Sequence, residues 1–455
     1  MAHHQVEVNL SAENTELPPE AANVGRAALT VGLMSLAAVF LLGIFGSTLK
    51  EGPGRLQQIM HSYLTSFAFY LAMTLGALFF VMIQHLARAH WSVSTRRIAE
   101  YMACNIVVLF VLGAPIGWYT VASRTPPGAS QDSTSTQAER SDVVVTGGLY
   151  PWTDVEHVKH DPILKGKAGW LSVPMWAVRI LIYFGIWIFL AYYFRNKSLQ
   201  QDASGDPALS VERETYSAPA IVVTAITLTL GAIDIIMSLN PHWFSTMFGV
   251  YFFAGGMGAF HATIILTLMT LQRFGRLQGI VTTEHYHDHG KFLWGFVFFW
   301  GYVAFSQFML IWYANIPEET EWFRDRQYIG HTDAFSPWMK VGLVLLFIHI
   351  LIPFPGFISR RMKRNLPALA FWAIWVLVAH AVDMYWLVMP EYSKKLFLAG
   401  DLNAQTRLPF QMTDLLIFVG IGGILVWNVI RQATGRPLVA AKDPRFRESV
   451  AFQNY

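Results

Sequence analysis

Six ionisable side chains lie inside otherwise apolar stretches of the sequence: Arg179, Asp234, His261, His349, His380 and Asp383. Charged or titratable groups at membrane depth are costly, so each must pair, hydrogen-bond or move protons. Counted at 1.5 Å per residue from one end of each stretch, Arg179, Asp234 and Asp383 lie ~9 Å deep, His380 ~13 Å, His349 ~18 Å and His261 ~27 Å. His380 and Asp383 are three residues apart and share one helix face. A neutral imidazole both donates and accepts, so this staggered series is expected to form a water-assisted proton path from Asp383 through His380 and His349 to His261. Tyr302, Ser306 and Gln307 on a neighbouring stretch are expected to fill gaps in it. The competing reading makes each histidine a hydrogen-bonded core residue. Arg179 and Asp234 fall at one level on consecutive antiparallel stretches, which favours a structural ion pair over direct proton or quinol chemistry. A haem held between His349 and His380 is a weaker reading, because no second histidine pair accompanies it.

Two polar motifs flank the run from Phe292 to Tyr313. HYHDHGK, residues 285–291, places histidines two apart, a spacing that converges only on a strand, so a solvated loop is favoured over a transition-metal site. NIPEET, residues 315–320, reads as an acidic surface patch for docking, with quinol binding by Glu318 or Glu319 as the lesser alternative.

Something must position these groups, and composition says what. The 455 residues are 54% hydrophobic, 15% aromatic and only 14% charged, against about 25% charged in soluble domains. Apolar runs long enough to span a bilayer are expected near 27–49, 62–87, 98–123, 174–195, 217–239, 243–271, 292–314, 337–355, 366–389 and 411–431. Lysine and arginine concentrate on the side of the two ends, which places both termini in the cytoplasm. The net charge of +3 says nothing about nucleic acid, and no Lys/Arg block of the required density exists, so no nucleic-acid partner is expected. With Cys104 as the single cysteine, the chain itself cannot form an internal disulfide, a Cys-ligated iron–sulfur cluster or a CxxCH haem attachment.

The expected fold is all-α and polytopic, with ten transmembrane helices. Residues 1–26 read as a polar tail, 27–432 as the membrane domain and 433–455 as a second tail. A large polar insertion, 124–173, begins with the turn-rich RTPPGASQDSTSTQAERSD and ends in an aromatic half able to pack as a periplasmic cap. HSYLTSFAFYLAMTLGALFF and WFSTMFGVYFFAGGMGAF echo one another, each with a tyrosine (Tyr70, Tyr251) followed by small residues. That echo points to two four-helix bundles, about 61–240 and 243–389, with the first and last helices peripheral. Gly255, Gly256 and Gly258 are read as close helix packing.

DIIMSLNPHWFSTMFGVYFFAGG (234–256) and HYHDHGKFLWGFVFFWGYVAFSQFMLIWYANIPEET (285–320) resemble the second NrfD-like integral membrane subunit of bacterial alternative complex III. The likeness extends through QHLARAHWSVSTRRIAE (84–100) and PFPGFISRRMKRN (353–365) and so touches nearly all ten spans. This resemblance implies a quinol:cytochrome c oxidoreductase of the bacterial inner membrane. The implied partners are a homologous NrfD-like subunit, an iron–sulfur subunit, and multihaem and monohaem cytochrome c subunits, with membrane lipids around them and a terminal oxidase as a further associate. Iron–sulfur clusters and haem c would reside in those partners, with a quinol (menaquinol or ubiquinol) nearby and no cofactor or metal in this chain. It also implies a companion role, supporting assembly and conducting protons. The family pattern leads one to expect an apolar residue where His289 stands, so that histidine reads as peripheral. Two other readings remain open on the sequence: a catalytic quinol pocket built around Asp234, Asp383 and Gln307, and an independent secondary transporter made of repeats.

Overall fold

The computed structural model describes residues 8–48, 54–124, 148–330, 332–398, 401 and 403–454. The turn-rich start of the large insertion, from residue 125, lies outside the described residues. Within them the chain is all-α: ten helices are long and apolar enough to cross a membrane, and the β-structure consists of two isolated bridges. We number the spanning helices α1 (Ala21–Thr48), α2 (Gly54–Leu86), α3 (His90–Ala122), α4 (Val173–Ser204), α5 (Ala208–Ile235), α6 (Phe248–Arg273), α7 (Thr283–Ala314), α8 (Pro337–Gly356), α9 (Leu366–Leu398) and α10 (Met412–Ala433).

Most helices outrun the apolar windows that reveal them. An apolar run measures the hydrocarbon slab, whereas backbone hydrogen bonding continues until a cap or a breaker stops it. Thus α4 runs on through polar residues to Ser204 and stops at Gly205, whose φ of +72° suits glycine. α9 continues eight residues past Pro390, which lies inside it.

Helix α2 is central and packs against α3, α5, α6, α9 and α10; α6 in turn packs on α7 and α9, and α1 pairs with α10. α2 and α6 approach closely, at a place where small residues replace side chains. A Cβ on Gly76 would lie 2.7 Å from the Gly256 carbonyl oxygen, and one on Gly256 would lie 2.5 Å from that of Ala72. Packing between bilayer helices gains little from the hydrophobic effect, so backbone proximity of this kind is what holds them. Gly258 has ordinary room, 3.8 Å from Val376.

Two spans are irregular. α3 is interrupted at Cys104–Asn105 and again at Gly113, just before Pro115. α8 passes through a π-helical turn, Leu346–Leu351, before Pro353 ends its regular hydrogen bonding.

The two ends of the chain meet on one face, called here the termini face. Leu277 N–H donates to the Asn14 carbonyl (2.8 Å) and Leu438 N–H to that of Thr15 (2.7 Å). The expected tails are therefore fastened: Asn14 and Thr15 are buried, and so are Asp443 and Ser449 near the other end. On the opposite face, residues 148–172 pack over the helix ends. Lys395 Nζ donates to the carbonyls of Gly148 (3.1 Å) and Leu149 (2.6 Å), and Tyr150 stacks on Trp152.

Candidate functional site

Three of the buried polar clusters in the helix bundle contain residues singled out by the sequence. The first joins α4 to α5. Arg179 donates to both carboxylate oxygens of Asp234, at 2.8 and 2.9 Å, and the Tyr183 hydroxyl and the Trp170 indole each add a bond at 3.0 Å. The guanidinium also lies over the Trp170 ring, 4.0 Å from its centre, and donates to the Trp170 carbonyl. Every oxygen of Asp234 is thus engaged. This is a closed ion pair that fastens the cap over the bundle, and it leaves no lone pair aimed at a substrate.

The second cluster sits between α6, α7, α8 and α9. Asp383, fully buried, accepts from the Tyr251 hydroxyl on one oxygen and from the Trp300 indole N–H, at 3.1 Å, on the other. His380 Nδ1 stands 3.9 Å from that second oxygen, too far for a direct hydrogen bond. His349, carried on the π-helical turn of α8, lies flat against Trp300 with ring centres 3.6 Å apart, and 6.4 Å from His380. His380 also presses on the backbone of α6: a Cβ on Gly255 would come within 2.7 Å of its Cε1. Both nitrogens of His380 and Nδ1 of His349 are buried without a hydrogen-bond partner. Buried polar atoms are nearly always satisfied, so a group of orphans marks a place for ordered water or for protons in transit.

The third cluster was not legible as such. HYHDHGK is the first part of α7 rather than a solvated loop. Thr282 caps the helix, and the His285 imidazole, in the position usually held by Glu, accepts from the Thr282 backbone N–H at 3.0 Å. Once helical, His285 and His289 fall four residues apart on the inward face, and both are fully buried. His289 Nδ1 lies 3.1 Å from Nδ1 of His261 on α6, and its Nε2 lies 3.1 Å from the Thr95 hydroxyl on α3. His289 is therefore central rather than peripheral. His261 is enclosed by Phe80, Phe260, Phe292 and Phe296, with its own Nε2 unpartnered.

The sequence-derived path is thus partly assembled. Asp383, His380 and His349 come together, and His261 forms a separate group nearer the termini face. Six residues of α6, ~9 Å of rise, separate Gly255 beside His380 from His261, and the intervening layer is apolar. Tyr302 is 56% exposed on the outer surface of α7 and fills no gap in the path. Ser306 is half-buried. Gln307 accepts a bond from Ser245 at 2.9 Å, tying α7 to the loop before α6. Tyr251, Trp300, His289 and Thr95 are the participants that sequence reasoning missed. Among them only the i, i+4 spacing of His285 and His289 carried a signal. NIPEET opens a short helix, Pro317–Gln327, where Glu318 and Glu319 sit at the positive end of the helix dipole.

Among the described residues there is no group of three or more His, Cys, Asp or Glu arranged to hold a metal ion. A groove of about 500 Å³ opens beside Trp91, Asp288, Lys291, Phe292 and Phe296 near the termini face. Comparison with protein-family models and with curated proteins gave no match.

Proposed function

We propose that this chain is a membrane subunit of a quinol:cytochrome c oxidoreductase of the alternative complex III kind, supporting assembly and conducting protons while partner subunits carry the redox groups. The resemblance of the stretches 84–100, 234–256, 285–320 and 353–365 supports the family; the ten spans agree with it and are shared by many other proteins. The observation that carries the proton role is the Asp383 cluster. A buried carboxylate, held by only two neutral donors from Tyr251 and Trp300, faces two imidazoles with empty nitrogens. Unlike Asp234 it has no cation against it, so protonation and deprotonation do not break an ion pair. Partners in this reading are the homologous NrfD-like subunit, the iron–sulfur subunit and the cytochrome c subunits in a bacterial inner membrane, with both termini on the cytoplasmic side. The saturated hydrogen bonding of Asp234 weighs against a quinol site built on it.

The test is the ratio of protons moved to electrons passed in proteoliposomes of the assembled complex. Asp383→Asn keeps the shape and removes the titrating group, and the ratio is expected to fall to about half or less. An Asp383→Asn complex that moves as many protons per electron as the wild type would sink the proton role.

A further inference from the structure

The motif HYHDHGK is left unused by the reading above, and its third histidine makes the most specific contact in the inner half of the bundle. We propose that His261 and His289 form a two-imidazole relay that passes protons between the membrane interior and the termini face. The proposal rests on the proton-conducting reading of the Asp383 cluster and names the element that completes it.

The tautomers follow from the hydrogen bonds. The Thr95 hydroxyl has one hydrogen and directs it to the Ser92 carbonyl at 3.2 Å. Its oxygen therefore accepts from His289, so His289 carries its proton on Nε2 and leaves Nδ1 bare. Two bare nitrogens, or two N–H groups, would repel at the 3.1 Å that separates the rings. His261 must then supply the hydrogen through its own Nδ1, which leaves its Nε2 as an empty acceptor inside the cage of Phe80, Phe260, Phe292 and Phe296.

This arrangement moves one proton with atoms in balance. A proton arriving from the interior forms an N–H bond at His261 Nε2. The Nδ1–H bond of His261 breaks as its proton bonds to His289 Nδ1, and the Nε2–H bond of His289 breaks as its proton bonds to the Thr95 oxygen, while the Thr95 O–H bond breaks and delivers its own hydrogen to water at the termini face. Both rings end in the opposite tautomer. A proton entering at His289 Nε2 drives the same transfer in reverse, so a second proton can pass in the first direction only after both rings have reoriented and recovered their starting tautomers. The pair therefore passes a proton in either direction, one per reorientation of the rings. A purely structural pair does not explain the empty Nε2 of His261: apolar side chains would fill this cage without leaving a buried acceptor unpaired. Beside Thr95, the Ser94 hydroxyl meets Ser449, which His285 also approaches, so the relay ends next to a second run of hydroxyl and imidazole groups.

The experiment measures passive proton flux under a potassium-diffusion potential, in proteoliposomes of the protein purified with its accompanying subunits. His289→Leu is expected to lower the flux at least tenfold. His289→Gly is expected to regain flux when imidazole is added but not when pyrrole, of the same shape and without a basic nitrogen, is added. Equal flux in His289→Leu and wild type, or rescue by pyrrole as good as by imidazole, overturns the relay. Should Asp383→Asn block flux while His289→Leu does not, only the relay falls; should neither block it, the proton reading falls with it. A measurement on the wild type guards against misfolded variants. The ¹⁵N spectrum should show one protonated and one bare nitrogen in each of the two rings, and a protonated Nδ1 on both would overturn the assignment.

Discussion

Two buried aspartates show how neighbours decide what a charge can do. Asp234 accepts four hydrogen bonds, two of them from the charged guanidinium of Arg179, whereas Asp383 accepts two, both from neutral donors. The first is committed to structure, and on the proposed function it is the second that changes protonation state. A sharp consequence concerns the first pair. Arg179→Met leaves Asp234 buried without its cation, and breaking a buried pair from one side costs ~3–5 kcal/mol. The double variant Arg179→Met with Asp234→Leu removes both charges and should recover most of that loss, as read from thermal unfolding of the detergent-solubilised protein. If the double variant is no more stable than the single one, the staple account is wrong. The sequence placed these two residues at one level because consecutive antiparallel helices fix depth. It could not foresee Trp170, which the fold of the cap brings in, or the part played by Tyr183, one turn from Arg179 on α4.

At the scale of elements, the apolar runs of the sequence located all ten helices but not their ends or their irregularities. The helix start at Thr282 was hidden because it is polar, and polarity was taken for exposure. There, polar residues face other polar groups across a helix interface, which an apolar window does not register. The π-helical turn that carries His349 was equally silent, since it depends on the prolines at 353 and 355 together with packing against α7 and α9. The last segment of the chain behaves as a strap across the termini face. Asp443 meets Arg96 at 2.7 Å, and Ser449 donates to the Trp91 carbonyl at 2.8 Å. Burial alone would raise the Asp443 carboxyl, but Arg96, the Arg445 amide and Arg213 outweigh it and hold the group below the usual carboxylate range. A depressed folded value means the stabilisation is complete above the unfolded value of ~3.9 and fades as pH falls through the folded value. The protection of amides in residues 443–452 against hydrogen exchange, relative to their intrinsic rates, should therefore fall between about pH 5 and pH 3, and Asp443→Asn should show low protection already at pH 7. A strap whose exchange is indifferent to both changes would not be held by this carboxylate.

At the scale of the whole molecule, the two polar clusters and the layer between them pose one requirement. A protein that conducts protons in a membrane that stores a gradient must not leak, so the path needs a dry interval. On the proposed proton role, that interval would lie between His380 and His261, where Gly256, Met257, Ala259 and Phe260 of α6 are buried against α2 and α9, and where Phe296 of α7 stacks on His261. Moving a charge through such a layer costs several kcal/mol unless water enters. The glycine contacts of α6 with α2 and with His380 leave the helix backbone close to its neighbours, so the seal depends on a few large rings rather than on bulk. Replacing Phe296 by Ala would open space beside His261 for water while leaving every titrating side chain of both clusters in place. Each ~1.4 kcal/mol removed from the barrier raises the flux about tenfold. Phe296→Ala is therefore expected to raise the passive proton leak of proteoliposomes by roughly tenfold and to lower the protons retained per electron. Phe298→Ala, on the exposed side of the same helix, should do neither. An unchanged leak in Phe296→Ala would mean that the barrier to protons lies elsewhere than in this apolar layer.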